Sequence, residues 1–316
     1  MIEVESLSKY YSGKAAIRDI SFHIGKGEIV GLLGLNGAGK STILKILGCF
    51  LTPSGGQARV GGFSVEEKPD EVRRLIGYLP DTPPLYNEMN VVRYLRYVAR
   101  LKGVAEDEVD ARVAEAVERT NLRDVLSARL GELSHGFRQR VGIAQAIVHK
   151  PEVLIFDEPI NGLDPIQIVE MRDLIKSFRG QHTVVLSSHI LSEITRTCDR
   201  MMIVDQGHLV AEGSEAQLSQ QMAEQMRVVC TVDRLDDGVI KLLREMDGIV
   251  SVEPRNGSDG SKQLLVLTRR DLRSDVARAI VVGGVGLLAM NREGGGLEGL
   301  FLKLVKSSHE SLSGTH

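Results

Sequence analysis

The chain has 316 residues, 42% of them hydrophobic and 4% aromatic, with a net charge of −3. That length holds one large domain with a small one, or two medium ones, and supplies apolar material for proper cores. The balance lacks the basic excess of a chain whose main partner is nucleic acid. Cys49, Cys198 and Cys230 are scattered without metal spacing and suit a reducing cytosol. The apolar run at 279–290 (AIVVGGVGLLAM) carries three glycines and falls short of the roughly 20 residues that span a bilayer. A chain that is soluble by itself, yet able to dock onto a membrane protein, is the expectation.

The N-terminal MIEVESLSKYY alternates like a strand and lacks signal-peptide character. Strand patterns recur in AIRDISFHIGKGEIVGLLGL and QARVGG, and Lys40 to Phe50 reads as a helix through Ile43, Leu44, Ile46 and Leu47. GEIVGLLGL therefore predicts a buried strand feeding a glycine loop, with a helix at the loop's end. That loop, GLNGAGKST at 34–42, fits G-x-x-x-x-G-K-[ST]. The backbone of Gly34, Leu35, Asn36, Gly37, Ala38 and Gly39 would wrap phosphate oxygens at a helix N-terminus. Lys40 would reach the β- and γ-phosphates, the Ser41 hydroxyl would ligate Mg²⁺, and Thr42 closes the motif. Such loops serve kinases, GTPases, helicases and transport motors alike.

Residues 90–130 are charged and helix-forming, and a further helix runs over 134–149 through Val141, Ala144, Ile147 and Val148, with Pro151 as its stop. Together they predict a helical subdomain at about 85–150. VLIFDE (153–158) reads as a buried strand ending in two carboxylates. Asp157 would hold Mg²⁺ through water, and Glu158 would act as general base on the attacking water. After the helix IQIVEMRDLIKSF, a second buried strand, HTVVLSSH, ends at His189. Parallel strands bring their C-terminal ends to one ligand-binding edge, so His189 is predicted to sense the γ-phosphate. RMMIVDQGHLVAEG predicts a hairpin turning at Gln206–Gly207.

These elements make up a first domain at 1–217. SEAQLSQQMAEQ is polar and helix-prone, with a linker expected at 218–225. Residues 226–306 then read as strand, helix, strand, strand, helix, strand, which predicts a small α+β, ferredoxin-like domain. A final helix, LEGLFLKLV, and a disordered tail at 307–316 complete the expectation.

The stretch ELSHGFRQRVGIAQAIVHKPEVLIFDEPINGLDP (132–165) resembles the ATP-binding cassette (ABC) superfamily. LSHGF (133–137) stands where that family has its LSGGQ signature, NGLDP (161–165) looks like its D-loop, and SSH (187–189) like its switch-histidine loop. Tyr11 matches the aromatic that stacks on adenine. Six motifs in the right order cover residues 1 to about 217. The resemblance implies an α/β P-loop cassette with a mixed sheet and a helical subdomain, using ATP and Mg²⁺. It implies that two copies face each other head to tail, so that Ser134 and Gly136 contact the ATP held by the other copy. It also implies integral membrane permease partners, a peripheral place on the cytoplasmic membrane face, and no nucleic acid.

There are departures. His135 and Phe137 replace the family's common Gly and Gln. Asp81, in IGYLPDTPPLY, stands where glutamine usually contacts Mg²⁺ and water. Aspartate accepts but does not donate hydrogen bonds, and is one methylene shorter. It would approach Mg²⁺ through water, with reduced precision but no loss of the site. YLPDTPPLYNEM and LEGLFLKL resemble a subset similar to gliding-motility, multidrug and copper-maturation cassettes. Thr82 to Arg100 mixes prolines, tyrosines and arginines, a composition suited to a docking surface.

The function expected is the ATPase subunit of a transporter, an exporter with separate permease chains. The alternative is a soluble cassette ATPase of a non-transport assembly. Translation types carry two cassettes per chain and repair types insert a long coiled coil, for which 42–133 is too short; an iron–sulfur scaffold ATPase stays open. A nucleotide-regulated module without turnover would lack the base, and Glu158 is present. The C-terminal domain shows no catalytic constellation and is expected to support dimers or regulation. The substrate is not legible, because specificity would reside in the permease.

Overall fold

β1 (Ile2–Tyr11) and β2 (Lys14–Ile24) form an antiparallel hairpin closed at Ser12–Gly13, both with positive φ. β3 (Ile29–Leu33) is five residues long and wholly buried, and runs through the glycine loop into α1 (Lys40–Leu47). β4 (Gly55–Val60) and β5 (Phe63–Ser64) then extend the first sheet to the order β2-β1-β4-β5. In this computed structural model residues 1–221, 226–257 and 260–292 are described, and the chain divides into two units between Glu212 and Gly213.

α2 (Pro69–Leu75), with proline in its first turn, leads directly into β6 (Ile76–Leu79). This four-residue strand went unread because IGYL is too short to show a period. Its Gly77 is required: a Cβ there would stand 2.0 Å from the Ala146 carbonyl oxygen.

α3 (Val91–Leu101), α4 (Val109–Arg119) and α5 (His135–Ile147) build the helical part. α3 buries Val91, Tyr94, Leu95, Val98 and Ala99, one stripe of a 3.6-residue period. The Asn90 side chain caps it by accepting from the Arg93 N–H.

β7 (Val153–Phe156), α6 (Pro165–Lys176), β8 (Thr183–Ser188), α7 (Leu191–Thr197), β9 (Arg200–Asp205) and β10 (His208–Gly213) complete the first unit. The six-stranded sheet has the order β10-β9-β3-β8-β7-β6, and its pairs from β9 to β6 are parallel. β7 and β8 are buried at every position, which is why they read as unbroken apolar runs. The turn between β9 and β10 falls at Gln206 and Gly207, with φ of 46° and 82°, the geometry of a two-residue hairpin turn. In this parallel register Leu79, Phe156, Ser188 and Leu33 end their strands along one edge.

The second unit begins with α8 (Glu215–Gln221), a helix over the first part of the expected linker. β11 (Met226–Val232), α9 (Asp237–Glu245), β12 (Ile249–Asn256), β13 (Lys262–Thr268), α10 (Arg273–Val282) and β14 (Leu287–Arg292) follow in the expected order. The sheet order is β12-β13-β11-β14 with every neighbour antiparallel, a ferredoxin-like arrangement. Val228, Cys230, Leu264 and Val266 of the sheet pack with Val239, Leu243, Val276 and Ile280 of the helices as a separate core. The predicted final helix and the tail at 307–316 lie outside the described residues.

Candidate nucleotide-binding and hydrolysis site

The site is built where the parallel strands end. β3 delivers the glycine loop, in which Gly39 has φ +114°, a conformation that side chains rarely adopt. No side chain caps α1, so its first N–H groups stay unclaimed by any capping residue and face the loop. Lys40 is 5% exposed, and its Nζ donates to the carbonyl oxygens of Gly34 (2.7 Å) and Leu35 (3.1 Å).

β7 delivers the two carboxylates. Asp157 is buried and accepts from the Ser41 hydroxyl at 3.0 Å and the Ser187 hydroxyl at 2.7 Å. Ser187, on β8, also accepts from the Glu158 N–H at 2.8 Å. One buried hydroxyl thus sets both acidic residues. Glu158 has φ +49°, left-handed for a residue with a Cβ, a strain of about 1–2 kcal/mol. Both its carboxylate oxygens are engaged: Oε1 lies 3.3 Å from Lys40 Nζ, and Oε2 lies 2.9 Å from His189 Nδ1.

Behind His189, the Ser188 hydroxyl donates to Glu193 at 2.6 Å and accepts from the Ile190 N–H at 3.0 Å. Burial raises the Glu193 carboxyl above its ordinary pKa, only partly offset by the Ser188 hydrogen bond.

A cleft of about 350 Å³ opens over this array, lined by Ala16, Leu35, Asn36, Gly37, Gly39, Lys40, Ser41, Thr42, Asp81, Glu158, Asn161 and His189. Asp81 reaches it from the loop after β6, where its carbonyl accepts from Gln139 Nε2 at 3.5 Å. Gly34, Ala38 and Asp157 are buried and do not line it. Tyr11, 45% exposed at the end of β1, is not among the lining residues, and Lys9 Nζ sits 5.5 Å from its ring centroid. Ser134 and Gly136 are also outside the cleft; Ser134 caps α5 by accepting from the Phe137 N–H at 3.4 Å.

Sequence reasoning placed Ser187 and Asn161 only within the SSH and NGLDP stretches, with no individual role, and gave none to Ala16. The signal for Ser187 was there: a hydroxyl inside a fully buried strand requires a partner.

Ser41 and Asp157 offer a hydroxyl and a buried carboxylate 3.0 Å apart. Oxygen donors of this kind fit a hard divalent cation that keeps its waters and takes substrate phosphates. Among the described residues no cluster of three His, Cys, Asp or Glu could cage a metal.

A strand, glycine loop and helix, with Asp, Glu and His at the ends of two neighbouring parallel strands, define a P-loop nucleoside triphosphatase. Residues 17–161 match the family model of the ABC transporter. The chain is 33% identical over 306 residues to YxlF, an ABC transporter ATP-binding protein of Bacillus subtilis, spanning 96% of this chain and 99% of that one. It is 37% identical over 221 residues to the bacitracin transport ATP-binding protein BcrA of Enterococcus faecalis, covering 69% and 70% of the two chains. A solved ATP-binding subunit of an ABC transporter superposes with a TM-score of 0.64 at 33% identity, over 70% of this chain and 92% of that one. The chain belongs to the ATP-binding proteins of ABC transporters, and is an ATPase of that family.

Proposed function

We propose that the chain is the motor subunit of an exporter. On this reading two copies close on two ATP molecules and reopen after Mg²⁺-dependent hydrolysis, moving separate permease subunits. The observation that carries it is the shared seating of Glu158 by Lys40, His189 and Ser187. Lys40 leaves Glu158 for the β- and γ-phosphates, which frees Oε1 to accept a proton from the attacking water. His189 keeps hold of Oε2 and faces the γ-phosphate. Ser41 and Asp157 would hold Mg²⁺, which when bound neutralises charge on the β- and γ-phosphate oxygens. Asp81, which lines the same cleft, would supply a further oxygen. Tyr11 offers its exposed ring to adenine. Ser134 and Gly136, which do not line their own cleft, would serve the ATP of the second copy.

No helix among the described residues is long and apolar enough to cross a membrane. Attachment to the cytoplasmic face then runs through the permease. Tyr86 and Tyr97, both exposed and packed edge to face at 5.8 Å, mark the docking surface within Thr82 to Arg100. Relatives named for bacitracin transport and for linearmycin resistance support the exporter reading. The C-terminal domain, with its own core, supports the dimer or regulates it.

The decisive variant is Glu158→Gln, which keeps the shape of the site but removes the base. With ATP and Mg²⁺ it is expected to elute as a stable dimer in size-exclusion chromatography with light scattering. A persistent monomer refutes the two-copy motor. Recovery of the tagged chain with an integral membrane protein supports transport; recovery with soluble proteins alone moves it to a non-transport assembly.

A further inference from the structure

His135 opens α5, and its Nε2 lies 3.0 Å from the carbonyl oxygen of Asn161. A carbonyl only accepts, so Nε2 carries the proton in this contact. The ring rests against Gly162, where a Cβ would stand 3.3 Å from Nε2. Next to it, Gly136 lies against the side chain of Gln167, 2.6 Å from where its Cβ would be. The start of α5 is therefore seated directly on the segment that follows the catalytic carboxylates. In that segment the Asn161 N–H donates to the Glu158 carbonyl at 3.2 Å. Two hydrogen bonds in series, from ring to Asn161 and from Asn161 to Glu158, run from α5 to the left-handed residue that carries the base.

We infer that His135 is a positioning residue: it ties the end of α5 that serves the second copy's ATP to the turn that aims Glu158 in its own site. This rests on the two-copy reading above. Because the His135 imidazole links this strained turn to α5, a shift of the start of α5 would change the turn's angle, and phosphate arriving from the other copy would cause that shift. His135 is exposed and does not line its own cleft, so it acts on the rate through Glu158 rather than by binding nucleotide there.

The test uses the full chain with His135→Ala and His135→Gln. Glutamine carries its Nε2 donor the same number of bonds from Cα and preserves the link. Phosphate release at saturating Mg²⁺ and ATP is measured first. The ATP concentration for half-maximal dimer is measured next, in the Glu158→Gln background. His135→Ala should lower kcat about five-fold, the equivalent of ~1 kcal/mol. It should leave KM and the dimerisation midpoint within about two-fold, and His135→Gln should recover at least half the wild-type kcat. Wild-type kcat in the alanine variant overturns the inference. So does a loss seen only in dimerisation, or a glutamine variant no better than alanine when both melt with the wild type. If Glu158→Gln forms no ATP-dependent dimer, the two-copy reading fails and takes this inference with it. A normal dimer with unchanged kcat in His135→Ala sinks this inference alone.

Discussion

Ser187→Ala tests the idea that one hydroxyl sets both catalytic carboxylates. The side chain is fully buried, donates to Asp157 Oδ1 at 2.7 Å and accepts from the Glu158 N–H at 2.8 Å. Removing it strips Asp157 of one of its two hydroxyl donors and leaves a half-buried backbone N–H without its partner. A hydrogen bond to a charged group contributes about 1.5–3 kcal/mol, and an orphaned buried donor costs about 1–3 kcal/mol. Water entering from the cleft would recover part of this, so a net loss of about 3 kcal/mol is expected. For a unit of this size that is a fall of roughly 6–12 °C in Tm, read by differential scanning fluorimetry without nucleotide. The rate should fall as well, because the Glu158 N–H no longer anchors the left-handed turn; about ten-fold in kcat corresponds to ~1.4 kcal/mol of misplacement. A Tm within 1–2 °C of wild type, together with unchanged phosphate release, would refute the reasoning.

Lys40→Ala removes the ammonium that contacts Glu158 and the loop carbonyls, and phosphate release should drop to background in a coupled phosphate assay. Asp81→Ala should lower kcat about ten-fold while Asp81→Gln stays within about three-fold, since both polar side chains reach the cleft with an oxygen; equal rates in the two variants would remove Asp81 from the site. Burial raises the Glu193 carboxyl in the folded chain, so the native state binds the proton more tightly than the unfolded one. Stability is then fullest below the unfolded pKa and is lost as pH rises through the folded one. Glu193→Gln should therefore flatten that slope, and urea midpoints at pH 4 and pH 8 check it. His149 behaves in the opposite sense: burial, helped by the Lys102 ammonium, lowers its pKa from 6.5 to about 4. The unfolded chain takes that proton first, so stability falls as pH drops from about 6.5 to about 4; His149→Gln should remove that part of the acid slope in urea titrations.

The sequence was most legible where chemistry and backbone geometry ask for the same residues. The glycine loop needs left-handed backbone at Gly37 and Gly39 and a cation at Lys40, so it shows in the letters alone. VLIFDE and HTVVLSSH were readable as buried strands because burial on both faces leaves no polar alternation. Their parallel pairing then put Asp157, Glu158 and His189 on one edge, as expected. The ferredoxin-like order was legible because each described element of that domain is short, with its own run of apolar residues. By contrast, β6 and α2 hide in a stretch where four apolar residues meet a seven-residue charged helix, too little of either period to register.

The least legible features are those whose partner is main chain or lies far away in sequence. His135 meets a carbonyl, Glu158 meets Ser187 through its own N–H, and Lys40 rests on two loop carbonyls. Every residue carries the same carbonyl and nearly every residue the same N–H, so no letter in the sequence marks which one is used. Ser187 also lies 30 residues from Asp157, and only the register of β7 against β8 brings them together. A site of this kind shows its reagents in the sequence and its alignment only in the fold. Ser187 and His135 make the point: neither reacts in this reading, yet each bears on where Glu158 stands when water attacks.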